Sequence, residues 1–252
     1  MTAEITRFEQ LDYAANEAIN TLCTNLSFTG KDRKVIMITS CIASEGKSFL
    51  SMNIMRTMAQ LGKRVVLVDT DLRRSLINTQ FGIRLSIKTY GLAHYLAGMC
   101  TQEDILYNTN FPGAYYIPVG RTVTNSLALL NTPLLGKLLR QLALSFDYVI
   151  VDTPPIGPII DPAEIAKSCD GALIVVTYNK VSRRELAEAK RQIELSGCEV
   201  LGAVLNNVDP NALGGRKYYY NNKHYKVKGD TEYNIKPNGN IPTAANKFKK
   251  EK

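Results

Sequence analysis

Val35-Ile36-Met37-Ile38 is an apolar run that passes through Thr39-Ser40-Cys41-Ile42-Ala43-Ser44-Glu45 into Gly46-Lys47-Ser48, and Phe49 to Leu61 then reads as a helix. Strand, loop and helix in that order restrict the chain to few architectures. Successive loop N–H groups and the positive end of a helix converge on one point, where phosphate oxygens bind. In the pattern G-x-x-x-x-G-K-[ST] the lysine reaches the β- and γ-phosphates and the hydroxyl residue holds Mg²⁺. Those positions are Lys47 and Ser48 here, with Cys41 in place of the first glycine. Gly-Lys-Ser behind an apolar run also occurs at ordinary strand-to-helix turns, so the stretch alone decides nothing.

Two further apolar runs end in carboxylates. Val65-Val66-Leu67-Val68-Asp69 leads into Thr70-Asp71-Leu72-Arg73-Arg74, and Phe146-Asp147-Tyr148-Val149-Ile150-Val151-Asp152 leads into Thr153-Pro154-Pro155, a stiff turn. Such runs read as buried strands of a parallel sheet. Tyr115 to Val119, Ala172 to Thr177 and Val200 to Asn206 read the same way. Helices are expected over Leu11–Leu26, Gly91–Ala97, Gln102–Leu106 (with Thr101 as N-cap), Pro133 to Ser145 and Ser182 to Ser196, and a loop over 75–91. The first of these helices can pack on its own sheet or on a neighbouring subunit. Alternating strands and helices predict a doubly wound α/β fold: a mostly parallel sheet with helices on both faces and ligands at the strands' carboxyl ends.

That edge then receives the phosphate loop, Asp69 with Asp71, and Asp152. Mg²⁺ takes oxygen ligands from one or two carboxylates plus phosphates, and phosphoryl transfer needs a carboxylate beside the attacking hydroxyl. Asp69 and Asp71 can divide those tasks. Any one of these aspartates alone reads as a solvated loop residue. Jointly with Gly46-Lys47-Ser48 they read as a nucleotide triphosphatase or kinase site.

With 45% hydrophobic and 21% charged residues, the chain is neither disordered nor membrane-embedded as a whole. No window approaches ~18 uninterrupted apolar residues. Met1-Thr2-Ala3-Glu4 lacks a basic-then-apolar signal, so a cytoplasmic location is expected. Cys23, Cys41, Cys100, Cys169 and Cys198 contain no C-x-x-C and read as reduced thiols. Residues 214–252 carry nearly all of the net charge of +8. In that tail Tyr218, Tyr219, Tyr220, Tyr225 and Tyr233 lie among Lys, Arg, Asn and Gly, with nothing to build a core. Three readings stay open: a sticky basic segment, an arm that binds nucleic acid with tyrosines stacked on bases, or an arm whose tyrosines accept phosphate.

Thr39-Ser40, Glu45-Gly46-Lys47-Ser48, Val66 to Arg74, Phe146 to Pro155 and the terminal tyrosine cluster together resemble the bacterial tyrosine kinases. More narrowly, they resemble the cytoplasmic kinase of two-chain capsular or exopolysaccharide systems. The resemblance implies a P-loop NTPase fold, SIMIBI-like, with a disordered C-terminal tail. It divides the chain into an N-terminal helical segment over 1–30 (a candidate oligomer contact), a kinase domain over 31–213 and a flexible basic tail over 214–252. It implies that the Walker A loop, with Ser44, Glu45, Gly46, Lys47, Ser48 and Phe49, binds ATP, and that Ser48, Asp69 and Asp152 serve Mg²⁺. Asp69 and Asp71 would form the Walker A′ motif, with Asp69 the base, and Asp152 the Walker B acid. The tail tyrosines would be phosphorylated in trans within a ring-shaped homo-oligomer. The implied partners are a membrane-embedded activator of the polysaccharide co-polymerase type, which holds the chain at the inner face of the membrane, and a cognate phosphotyrosine phosphatase. No nucleic acid is expected. The family's loop often reads Pro-Gly-Glu-Gly-Lys-Ser-Thr where this chain has Ala43, Ser44 and Phe49, and its Glu-x-x-Arg-x-x-Arg helix becomes Glu17, Asn20 and Cys23, without either arginine.

Two other readings compete. A partitioning or division-site ATPase shares the fold but carries a second lysine at the position of Ile42. A nucleic-acid-binding module would use the basic tail and bind with steep salt dependence. Asn206-Asn207-Val208-Asp209 is similar to the guanine-reading Asn-Lys-x-Asp, but Asn207 replaces the lysine, so ATP is expected over GTP, with Asn206 beside the base.

Overall fold

The computed structural model describes residues 1–30, 32–86 and 90–208. The tail expected over 214–252 lies outside the described residues. In chain order the elements are β1 (Thr2–Ile5), α1 (Tyr13–Phe28), β2 (Val35–Ser40), α2 (Lys47–Gln60), β3 (Val65–Asp69), α3 (Ile77–Gln80), β4 (Ile83–Leu85), α4 (Leu92–Leu96), β5 (Tyr107–Thr109) and β6 (Ala114–Ile117). They continue with α5 (Ser126–Leu130), α6 (Pro133–Ser145), β7 (Tyr148–Asp152), α7 (Asp161–Ala166), β8 (Gly171–Thr177), α8 (Arg183–Leu195) and β9 (Val200–Asn206).

The strands form one sheet in the order β4-β1-β5-β6-β3-β7-β2-β8-β9. From β6 to β9 every pairing is parallel, whereas β4 with β1 and β5 with β6 are antiparallel. The apolar runs need no polar face because both faces are covered. Ile36, Ile38, Val65, Leu67, Leu173 and Val175 pack toward α1 and α2. The alternate residues Val66, Val68, Val149 and Val151 pack toward α4 and α6, and Ala172 and Ile174 toward α8. This is the doubly wound, mostly parallel sheet that the strand–helix alternation predicts.

α1 starts at Asp12, whose carboxylate accepts the Ala15 N–H at 2.7 Å. Its buried residues Ile19, Cys23 and Leu26 join the core shared with α2, so its apolar stripe is covered by its own domain. The expected loop over 75–91 contains α3 and β4. No helix forms over Gln102–Leu106: Thr101 donates its N–H and hydroxyl to Asp104, each at 2.9 Å, and closes a turn instead. The first strand is β1, not β2. Its Thr2–Ile5 alternates exposed and buried residues over too short a span to stand out in the sequence.

Candidate active site

The parallel order places β3, β7 and β2 side by side. Asp69 and Asp152 are direct register partners at the ends of β3 and β7, and Ile38, two residues before the end of β2, pairs with Asp152. Three separate apolar runs thus end at one place. From β2 the chain turns through residues 41–46 into α2, with Ser44 at φ 63° and Gly46 at φ 86°. Both are left-handed. A side chain there costs on the order of 1 kcal/mol, and Ser44 stands where the family pattern often has glycine.

The loop is held from behind. The Glu45 carboxylate, fully buried, accepts the Ile42 N–H at 2.9 Å and the Thr177 N–H at 2.8 Å. The Glu45 carbonyl accepts the Asn206 side-chain amide at 2.9 Å. A Cβ on Gly46 would collide with that amide nitrogen. The loop is therefore tied to the ends of β8 and β9, and glycine is required for the tie. Among the expected cofactor-binding residues, Glu45 and Asn206 are directed to this support. Ser44, Gly46, Lys47, Ser48 and Phe49 line a cleft of about 280 Å³ together with Asp71, Arg74, Ser75, Leu76, Gln80 and Asp152.

At the cleft floor the Ser48 hydroxyl donates to Asp152 Oδ2 at 2.7 Å and the Ser51 hydroxyl to Oδ1 at 2.8 Å. Burial raises the Asp152 carboxyl, against the pull of Lys47 and the two serines. Asp69 is fully buried and does not line the cleft. Its Oδ2 accepts the Ser75 hydroxyl and, at 3.4 Å, the Tyr116 hydroxyl, and its Oδ1 accepts the Asp71 N–H at 3.2 Å. Burial, then the neighbouring Asp152 charge, pushes Asp69 up to about 8. Asp71 reaches the cleft and accepts the Arg74 N–H at 2.9 Å. Arg73 grips Asp161 with two hydrogen bonds, 2.8 and 3.0 Å, and the Ser126 hydroxyl joins that carboxylate.

Sequence reading missed Ser51, Ser75, Asp161 and the Glu45 side chain. Ser51 lies one helical turn beyond Ser48, a spacing that places both on one face. Ser75 carried no comparable signal. Among the described residues no three His, Cys, Asp or Glu side chains converge as a metal cage. The oxygen donors of Ser48 and Asp152 nonetheless fit Mg²⁺, which keeps several waters and takes phosphate oxygens as its other ligands. Tyr218, Tyr219, Tyr220, Tyr225 and Tyr233 lie outside the described residues.

A family model described as an AAA domain matches residues 33–196. Over 211 residues the chain is 37% identical to the tyrosine-protein kinase CpsD of Streptococcus agalactiae serotype III, covering 81% of this chain and 90% of that protein. The chain belongs to the bacterial tyrosine kinase family. As a member it is an enzyme, a tyrosine-protein kinase, with a nucleotide-binding P-loop fold. The kinase domain of the Escherichia coli tyrosine kinase ETK superposes with a TM-score of 0.73 at 30% identity, over 77% of this chain and 76% of that one. The Pyrococcus furiosus cell division ATPase MinD superposes at 0.60 with 24% identity, over 69% and 71%, and shares the fold. Among the described residues no helix of this kinase is long and apolar enough to cross a membrane.

Proposed function

We propose that this chain is an ATP-dependent autokinase of a capsular or exopolysaccharide system, acting on Tyr218, Tyr219, Tyr220, Tyr225 and Tyr233 of a neighbouring copy. The observation that carries this reading is the hydrogen-bonded Ser48–Asp152 pair in one cleft with Lys47 and Asp71. Lys47 and the loop N–H groups from Ser44 to Ser48 bind the phosphates of ATP. Ser48 and Asp152, with Asp69 next to them in register, form the oxygen set for Mg²⁺, which when bound draws negative charge from the phosphates. Asp71 orients the incoming phenol and Asp69 takes its proton. Because Ser75 covers Asp69, closure of the loaded site moves that hydroxyl aside. A membrane-embedded co-polymerase-type partner activates the chain and keeps it at the inner face of the membrane, and a cognate phosphatase resets the tail. The division-site ATPase reading is disfavoured by Ile42, where those proteins carry their second lysine.

The test is to incubate the purified chain with ATP and Mg²⁺, with and without the activator's membrane fragment, and to map phosphate by mass spectrometry. Label confined to the five tail tyrosines, and lost in Lys47→Met and Asp69→Asn, is the expected result. Label on serine, or ATP turnover without protein labelling, would overturn the reading.

A further inference from the structure

We propose that Leu76, with Phe49, forms the apolar wall against which the ring of the acceptor tyrosine lies, and so selects tyrosine over serine and threonine. The inference rests on the kinase reading and goes beyond it to the recognition of the acceptor. The cleft is lined mainly by groups suited to phosphate and metal, namely Ser44, Lys47, Ser48, Asp71 and Asp152. Leu76 does not belong to that chemistry. It is 55% exposed, sits at the N-cap of α3 without any side-chain capping bond, and faces the same cleft as Phe49. Phe49 lies in the first turn of α2, two residues after Lys47, with part of its ring against the core.

Phosphates and ribose gain nothing from such contacts, whereas a phenol ring buries apolar faces while its hydroxyl stays polar. Depth adds to the selection. Asp71 and Asp152 are 9% and 1% exposed, so an acceptor oxygen must project well past the rim to reach them. The tyrosine oxygen stands a full ring farther from its backbone than a serine hydroxyl does. A serine that entered would leave Leu76 uncovered and its hydroxyl short of the carboxylates.

The experiment uses the full chain with ATP and Mg²⁺, the activator's membrane fragment and a synthetic peptide of residues 214–234 as acceptor. Peptide KM, kcat and the affinity for a fluorescent ATP analogue are measured for wild type, Leu76→Ala and Leu76→Met. Leu76→Ala is expected to raise peptide KM roughly tenfold or more, with ATP-analogue affinity unchanged, and Leu76→Met is expected to restore KM. An unchanged KM in Leu76→Ala, or a parallel loss of ATP-analogue binding, would overturn the inference and leave the kinase reading intact. Wild type that binds the analogue but labels no tyrosine would remove the kinase reading and this inference with it. Melting temperatures of the variants are measured alongside and are expected to match wild type, because the position is exposed.

Discussion

The two walls of the cleft are built on opposite principles. On the phosphate-loop side, the Glu45 carboxylate has its two N–H donors, the Glu45 carbonyl has Asn206, and Gly46 leaves room for that amide. On the acid side, Asp69 and Asp152 lie in register on adjacent strands, both buried and both raised. One wall is settled before any ligand arrives. The other holds carboxylates that do not both ionise until a cation offsets their mutual repulsion. Matched buried hydrogen bonds rigidify, whereas close acids that cannot both ionise hold a proton that cation binding can release. The donor half is thus preorganised and the acid half is poised.

The largest effect should come from the settled wall. Lys47→Met removes a charge that lines the cleft and that the proposed function assigns to the phosphates. It is expected to lower tyrosine phosphorylation about 10³-fold or more, measured as the initial rate of phosphate incorporation into the tail. If the acid wall merely completes the site, Asp71→Asn should cost less. On this reading a carboxylate that orients the phenol contributes on the order of 10²-fold, seen in kcat with ATP affinity held. A loss in Asp71→Asn as deep as in Lys47→Met would erase the distinction between the walls. Gly46→Ala tests the tie itself. Its Cβ meets the Asn206 amide at a positive φ, so nucleotide binding is expected to weaken about tenfold, by fluorescence titration. Pairing it with Asn206→Ala should recover part of that loss by clearing the collision.

The two walls also differ in how legible they were. β2, β3 and β7 were readable because each is a continuous apolar run, and their adjacency follows from doubly wound topology. Gly46-Lys47-Ser48, Asp71 and Asp152 then fall together in one cleft from spacing alone. The burial of Asp69 was not readable, because Ser75 and Tyr116, which cover it, come from a loop and from β6. Likewise Glu45 looked like one more loop residue. Its role depends on Thr177, a residue 132 positions away. Long-range hydrogen bonds leave no periodic trace in a sequence. Neither do short elements such as β1 and α3, whose existence depends on neighbouring strands and packing.

The smallest effect concerns stability rather than rate, and it isolates the acid wall. In the nucleotide-free protein Asp69 is raised from the ordinary 3.8 to about 8. Between those values the folded state holds a proton that the unfolded chain has released. Stability from this group is therefore full below 3.8 and is lost as pH rises through the window to about 8. Asp69→Asn cannot titrate, so its melting temperature relative to wild type should climb between pH 5 and pH 8, with the largest gain at the alkaline end. Saturating ATP and Mg²⁺ should flatten that difference, because a cation beside Asp152 favours the ionised carboxylate and brings the folded-state value back down. An advantage for Asp69→Asn that stays constant with pH would mean that the carboxylate is already ionised in the empty site, and the acid wall would then be as settled as the phosphate loop.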